Sequence, residues 1–570
     1  MKNLLPTLAL AAALAPISLS SPTHAATAAR SPWNETHKDE RLGYQFRPPR
    51  GWQSIPLQTG EAWLAAKYVS DKTFAHIDEF GKTHPHKPQV MVIAFQHEVM
   101  ARRKEVEVRK EDGVEVTTTK ALNPYKDYED FLDRTYAGGG WYLSEKEEAK
   151  QGKLQVTRYE IKVEKLARTG PKRIVTWVYH AEGVDFAMQF EVLEEEYRKL
   201  RRTLETSLKS LVEIERNAAL QPSNTRAPGE IALSPQEVAA LSPKERSRLR
   251  RTAQRELQDA VIANLAKGWR HRHHGEVLVL YHEESKWAKR VGEQVEAVLE
   301  YLDDSFEYIG EGEYVRAPIV RVCDDLEQAA AFSHGVVSGA STSDRPWARP
   351  GEELVTYKDD RGWHAQNSEV ENVNRQLVRL WMIDRDWRLF SAIPPWLQIG
   401  LYEYVGGARQ DGRKLEFNID QYDRDEARQA FSHGLATSPR ELVHLADHYF
   451  ESSSPEVTRD SYWKRRGEAT MFLHWLLDRD SSRCRQAKGL LKTYLATLDE
   501  VLDEEEHEGG DWQCVKTPET EEEEAELART RAEALKVRQA ERRAKTNERV
   551  FGDWSEGDWT NLKRQYYRWL

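Results

Sequence analysis

The chain has 570 residues, more than one hydrophobic core usually supports, so two or three domains are expected. Its 83 Lys and Arg against 94 Asp and Glu give a net charge of −11, and both signs are interspersed along the sequence. This balance argues against nucleic acid as the main partner. Three cysteines are too few for a disulfide-built scaffold.

The first segment is the only strongly apolar one. Lys2 precedes an apolar run over residues 4–19, and small residues with two cleavage points, after Ala25 or after Ala28, follow it. This order is typical of a secretory signal peptide over residues 1–28, with a retained membrane anchor as the alternative. No later stretch approaches the roughly 18 consecutive apolar residues of a transmembrane helix. We therefore expect an exported protein, periplasmic or extracellular, with no integral membrane segment after signal removal.

Residues 33–212 have the pattern of an α+β domain. Strands are predicted at 42–52, 89–95, 154–163, 173–179 and 184–192, and helices at 127–136 and 196–211. On the first helix, Tyr128, Phe131, Leu132 and Tyr136 are spaced to share one face. The order of these elements predicts an α/β sandwich, in which helices pack on one antiparallel sheet.

Two short motifs bound this domain. Phe46, Pro49, Gly51 and Trp52 form the pattern F-x-x-P-x-G-W at its start, and a helix ending in Ser207-Leu208 closes it. The domain resembles the PsbP/DcrB-like domains, which are mostly binding or assembly modules, so the resemblance implies no chemistry. Taken alone, Gly51-Trp52 indicates a turn followed by a core aromatic.

Residues 213–241 have little periodicity and predict an interdomain linker. Two Ser-Pro-x-Glu boxes, at 234–237 and 242–245, mark helix starts, because Ser caps the helix, Pro occupies its first position and Glu reaches back. The second box begins a helix that we expect to run to about residue 267.

A second domain is predicted over residues 242–502. Its strands are expected at 275–281, 319–323 and 354–357, and its later helices at 286–308, 371–383, 396–405, 439–450 and 462–478. A sheet followed by helices is typical of an α+β domain. Residues 503–549 form a charged, low-complexity insert, predicted to be a solvated helix or a disordered arm, and residues 550–570 form a closing helix.

The sharpest motif of the chain lies within residues 394–404, which contain Pro395-Trp-Leu397, Gly400-Leu401 and Glu403-Tyr404. With residues 373–378 it resembles the centre of a gluzincin zinc peptidase, where one helix carries HExxH and a second, entered through P-x-W-L-x-E-G-L-A-E-Y, carries the third ligand. The resemblance implies a thermolysin-like domain. It also implies a cleft for a peptide or protein ligand, which Trp396, Glu403 and the edge-strand residue Tyr357 would contact.

Residue-by-residue transfer gives a degenerate metal site. The first His falls on Asn374, the general-base Glu on Arg375, the second His on Val378 and the third ligand on Ile399. Val and Ile have no donor atoms, and Arg would place a cation where the metal should sit. No intact HExxH occurs anywhere in the sequence. We therefore expect no zinc and no other cofactor.

Other chemistry-bearing residues give weaker signals. The His-rich cluster 271–274 is predicted to lie in a loop, where metal binding would be adventitious. Asp384, Asp386 and Glu403 could supply the two members of an acid/base pair. We interpret them instead as helix-end and surface charges. Cys323 lies in an apolar strand, which leaves Cys484 and Cys514 as the pair predicted to form a disulfide.

The sequence favours an exported pseudopeptidase, a binding or envelope-associated protein that keeps a peptidase cleft without its zinc. Two alternatives stay open. One is an active secreted metallopeptidase or other hydrolase with a displaced site, and the other is a purely structural scaffold.

Overall fold

The fold is of the α+β class, as predicted. The computed structural model describes residues 36–570 except 56–62, 78–80, 82, 98–103, 112–113, 122–124, 137–139, 165–169, 218–228, 230, 232, 234, 264, 266–267, 283, 311–314, 326–327, 330–331, 333–352, 359–364, 412–413, 420, 451–456 and 508–520. The predicted signal peptide, residues 1–28, lies outside the described residues.

A seven-stranded antiparallel sheet forms the centre of the N-terminal half. The N-terminal strands are, in chain order, β1 (His37–Asp39), β2 (Tyr44–Phe46), β3 (Trp52–Ser54), β4 (Leu64–Ser70), β5 (Phe74–Ile77), β6 (Thr83–His86), β7 (Gln89–Gln96), β8 (Lys104–Glu111), β9 (Val114–Ala121), β10 (Trp141–Gln151), β11 (Leu154–Val163), β12 (Lys172–Ala181), β13 (Val184–Leu193) and β14 (Val212–Glu213). The main sheet has the order β10-β11-β12-β13-β7-β4-β3. The remaining strands form a small sheet β1-β2-β14 and two hairpins, β5-β6 and β8-β9.

One helix packs on each face of this sheet. The first is α1 (Tyr128–Tyr136), which buries the predicted face of Tyr128, Phe131, Leu132 and Tyr136. The second is α2 (Glu194–Leu208), whose Leu204 and Leu208 join the core on the opposite face. The predicted α/β sandwich on an antiparallel sheet is therefore confirmed.

One strand prediction differs from the structure, and several strands of this half were not predicted. The single strand expected at 42–52 is wrong, because Pro48-Pro49 and Gly51 divide it into β2 and β3, which belong to different sheets. Gly51 has φ +81, a conformation that favours glycine. The central strand β4 and the charged edge strand β10 were not predicted.

A charged pair is fully buried within this half. The Lys172 ammonium on β12 forms an ion pair with the Glu191 carboxylate on β13, and neither side chain is exposed. Tyr136 donates to Glu191 Oε2 at 3.3 Å and accepts from Gln189 Nε2 at 2.9 Å. Burial, and then the nearby Lys172 cation, lower the pKa of His86 to about 3. The sheet thus encloses a polar network rather than a purely apolar core.

The C-terminal half begins with a four-stranded sheet. Its strands, in spatial order, are β15 (Arg270–His274), β16 (Val277–Tyr281), β17 (Ile319–Cys323) and β18 (Glu353–Tyr357). The pair β15-β16 is antiparallel, whereas β16, β17 and β18 are parallel. The loop expected at 271–274 is wrong, since these residues form the edge strand β15 by pairing with the apolar β16.

Helices make up most of the rest of this half. The first two precede the sheet, the third lies between β16 and β17, and the others follow the sheet, as predicted. The helices are α3 (Pro235–Ala240), α4 (Pro243–Ala263), α5 (Ser285–Ser305), α6 (Ala365–Arg385), α7 (Trp387–Ala392), α8 (Pro395–Gly406), α9 (Gln421–Ser432), α10 (Pro439–His444), α11 (Arg459–Leu477), α12 (Leu490–His507), α13 (Glu521–Phe551) and α14 (Glu556–Trp569), with a hairpin of β19 (Ala408–Asp411) and β20 (Lys414–Phe417). The hairpin, α7, α9 and α12 were not predicted. Within the described ranges, no helix has the length and apolar character needed to cross a membrane.

The charged helix α13 is only partly solvated. Its C-terminal turns bury Thr546 and Asn547. Asn547 accepts a hydrogen bond from the Tyr494 hydroxyl at 3.1 Å and donates to Val443 O at 3.0 Å. Polar groups therefore fix this end of the helix to the core. The expectation of a solvated helix or a disordered arm is wrong for these turns, because polar side chains bind them to the core.

The two halves share a hydrophobic core. Ile55 and Val69 of the N-terminal half pack in one cluster with Trp269 and residues of the four-stranded sheet. Trp269 Nε1 donates to Gln53 Oε1 at 3.3 Å across the same contact. Arg321 lies over the Trp269 ring, with its guanidinium carbon 4.7 Å from the ring centroid. Residues distant in sequence thus share one hydrophobic cluster between the two halves.

Candidate functional site

Helix α6 contacts the end of α8 through a buried amide. Asn374, at the first predicted metal-ligand position, has no exposed surface. Its Nδ2 donates to Ala408 O at 3.0 Å and to Gly406 O at 3.4 Å. The side chain thus satisfies carbonyl groups at the end of α8 and the start of β19, a structural role that needs no metal.

An ion triad joins three helices at the next position. Arg375 of α6 donates to Glu403 Oε2 of α8, from Nε at 3.1 Å and from Nη2 at 2.6 Å. Arg466 of α11 donates to the other carboxylate oxygen, Oε1. The side chains of Arg375, Glu403 and Arg466 are only 17%, 10% and 20% exposed. One carboxylate is therefore held between two guanidinium groups, an arrangement with a net positive charge that repels a divalent cation.

The electrostatics of Arg466 follow from this position. Burial acts to lower its pKa, but the Glu403 carboxylate, with contributions from Tyr462 and Asp423, raises the pKa overall. Arg466 therefore stays charged, and the triad is a fixed feature of the helix junction.

Helices α8 and α11 approach closely beside the triad. A Cβ added at Gly400 would lie 2.8 Å from Leu473 Cβ and 3.1 Å from Ala469 O. Glycine is thus the residue that fits this contact. Glu403 lies less than one turn after Gly400 on α8. The close approach of the two helices therefore places Arg466 of α11 within reach of the Glu403 carboxylate.

The other two degenerate positions are apolar. Val378 is buried in the main core, and the half-buried Ile399 packs against that core. Neither side chain has a donor atom for a metal. Throughout the part of the chain that the structure describes, no group of three or more His, Cys, Asp or Glu residues is arranged to hold a metal ion.

The predicted ligand-contacting residues lie in different surroundings. Trp396 is buried between Phe472 and Tyr494, with ring centroids 5.9 and 5.6 Å away. Tyr357 is buried in the core that the two halves share. Glu403 belongs to the triad. The structure therefore places both aromatic side chains in the interior and uses the carboxylate in ion pairs.

The two aspartates near α7 have structural partners. Asp386 caps α7 by accepting from Leu389 N at 2.9 Å. Asp384 pairs with Arg250 at 2.6 Å and accepts from Arg316 N at 2.8 Å. Their interpretation as helix-end charges agrees with these contacts.

One of the two cysteines of the predicted disulfide lies within the described residues. Cys484 is a free, buried thiol, and its Sγ lies 3.6 Å from Gln486 Oε1. Cys514 lies outside the described residues. The Cys484 side chain packs in the main core, and the Cys484–Cys514 bridge stays a prediction.

Comparisons with known proteins give little beyond this geometry. No family model matches the chain, and no curated protein matches it. Among solved structures, it is similar to the solution structure of cyanobacterial PsbP (CyanoP) from Synechocystis sp. PCC 6803, with a TM-score of 0.22 and 11% sequence identity. The match covers 32% of this chain and 94% of that chain. At this TM-score the likeness carries no argument, and the resemblance to gluzincins stays a prediction.

Two features of this region were missed in the sequence. Arg466 lies on a predicted helix, but its partner Glu403 is 63 residues away, a separation that no local pattern reveals. His474 is buried on α11 with its ring 4.6 Å from that of Tyr404. Burial, followed by the nearby Arg424, lowers the pKa of His474 to about 4. It is therefore a neutral core histidine at physiological pH.

Proposed function

We propose that this chain is an exported, non-catalytic, gluzincin-like protein that binds a peptide or another protein. The observation that carries the proposal is the Arg375–Glu403–Arg466 triad. It lies where the resemblance would place a general base beside a metal, and it supplies two cations there instead. The N-terminal segment, with its charged, apolar and small-residue regions in order, supports export.

Metal content tests the non-catalytic part of the proposal. Protein recovered from the exporting compartment should begin after Ala25 or Ala28, contain no stoichiometric zinc by mass spectrometry and leave an unstructured casein substrate uncut. Changing Asn374→His, Arg375→Glu, Val378→His and Ile399→Glu together should create three zinc ligands and raise the content towards about one zinc per chain. Turnover need not follow, because the groups that orient the ligands are not restored.

A matched four-alanine variant at the same positions controls for unspecific uptake. One tightly bound zinc in the unmodified protein would contradict the proposal and favour a displaced active site. A folded four-substitution variant that binds no more zinc than the alanine variant would show that α6 and α8 are not arranged as the resemblance implies.

Peptide binding tests the other part. We expect saturable binding of some members of a fluorescein-labelled library of extended peptides, measured by fluorescence polarisation in the presence of a chelator. The Glu403→Lys variant should bind these peptides more weakly, because three clustered cations would disrupt the helix junction. The exposed carboxylate Glu416 gives a control, Glu416→Lys. The absence of binding across the library would favour a structural scaffold.

A further inference from the structure

The turn after α9 projects an apolar pair into solvent. Phe431 is 43% exposed and Leu435 is 65% exposed, the latter just beyond the helix end. Leu435 N donates to Ala430 O at 2.8 Å and Gly434 N to Phe431 O at 3.0 Å, which fixes the turn. A Cβ added at Gly434 would meet no atom within 4 Å. The two side chains therefore protrude on an ordered turn and do not line a groove.

Cationic groups surround this turn. The ring of Tyr567 on α14 lies 4.4 Å from that of Phe431, and Lys563 Nζ is 5.6 Å from the Tyr567 centroid. Lys464 donates to the carbonyl of Leu435. After Asp558, α14 carries Lys563, Arg564 and Arg568 and no acidic side chain. The protruding pair thus lies beside the cations of Lys464 and Lys563, and Arg564 and Arg568 are exposed on the same helix as Lys563, although the whole chain is acidic.

The neighbouring carboxylates are already engaged. Glu441 accepts from Ser438 N at 2.7 Å in the capping box of α10. Glu468 is buried and accepts from Thr437 N at 2.8 Å. The C-terminal residue Leu570 accepts from Arg428 Nε at 2.8 Å. The cations that the structure places at the apolar turn are therefore Lys464 and Lys563, with the exposed Arg564 and Arg568 farther along the faces of α14.

We propose that this corner, formed by Phe431, Leu435, Tyr567 and the cations of α14, docks peripherally on an anionic phospholipid surface. A protruding apolar pair enters the boundary between headgroups and acyl chains, while flanking cations attract anionic headgroups. A partner peptide would need a concave site to receive its side chains. The convex turn favours the flat lipid surface instead. The inference does not depend on the proposed peptide-binding function.

Vesicle co-sedimentation of the full chain tests this. We expect binding to phosphatidylcholine vesicles containing phosphatidylglycerol, weaker binding to pure phosphatidylcholine, and loss of binding at high salt. Each cation near an anionic surface contributes roughly fivefold in affinity, so Lys563→Glu with Arg568→Glu should weaken binding by about 25-fold or more. Phe431→Ser with Leu435→Ser should also reduce binding by at least about tenfold.

The chain offers a matched control. Leu535 and Val537 on α13 are 42% and 58% exposed, so Leu535→Ser with Val537→Ser removes similar apolar area from another surface. This variant should bind vesicles like the unmodified protein. Equal loss in the control, or no sedimentation with phosphatidylglycerol vesicles, would overturn the inference. A third outcome would also overturn it: the protein binds a polyglutamate peptide but no vesicles, and both the charge variant and the Phe431→Ser, Leu435→Ser variant lose the peptide. The surface would then be a site for an acidic peptide.

Discussion

Replacing Lys172 by methionine should lower the free energy of unfolding by about 3–5 kcal/mol, because the Glu191 carboxylate would stay buried without its counter-ion. The side chains of Lys172 and Glu191 are both fully buried between β12 and β13. The Tyr136 hydroxyl, which still donates to Glu191, cannot replace a full positive charge. Urea denaturation followed by circular dichroism measures the loss.

A double variant separates the ion pair from packing. Lys172→Met with Glu191→Leu removes both charges, and Tyr136 keeps its hydrogen bond from Gln189. We expect it to be more stable than the single Lys172→Met variant, since exchange of a buried pair for apolar residues is often nearly neutral. If the double variant were as unstable as the single one, packing volume rather than the unpaired carboxylate would explain the loss.

Changing Gly400→Val should destabilise the C-terminal half by about 3 kcal/mol, near the upper end of typical overpacking effects. The first added carbon would lie 2.8 Å from Leu473 Cβ and 3.1 Å from the Ala469 carbonyl oxygen. Neither is the far end of a flexible side chain, so α8 and α11 would have to separate. Thermal unfolding should show the effect as a lower midpoint, accompanied by a weaker Arg466–Glu403 pair.

The control for this contact is Gly467→Ala on α11. The nearest atom to its added carbon, Asp423 O, is 3.5 Å away, an ordinary contact. Alanine is preferred over glycine in a helix interior by up to about 1 kcal/mol, so this variant should be slightly more stable. A Gly400→Val protein as stable as the unmodified chain would contradict the close packing of α8 against α11.

Periodicity predicted those elements whose apolar residues face a single core. The spacing of Phe131 and Leu132 gave the buried face of α1, and the apolar run of 319–323 gave β17. The strand β10 was missed because an edge strand with one neighbour can be almost entirely exposed and need not alternate apolar and polar residues. The strand β4 was missed because Lys67 interrupts its short apolar run, although that lysine is buried in the structure.

The sequence also predicted one part of the candidate site and not another. The sequence placed Asn374 and Arg375 on one helix and Glu403 on a second, and the structure brings these helices into contact. It could not reveal that Arg466 completes an ion triad, since pairing across 63 residues depends on the tertiary fold. Nor could residue types alone show that Trp396 points into the core, because tryptophan is common in both interiors and binding sites.

The core shared by the two halves has a consequence for any attempt to divide the chain. Scission within residues 213–241 would leave Ile55 and Val69 on one fragment and Trp269 on the other. Each fragment would then present to water an apolar face that the intact molecule covers. Heat should accordingly melt the two halves in one coupled transition, and fragments produced separately should aggregate or recombine with each other.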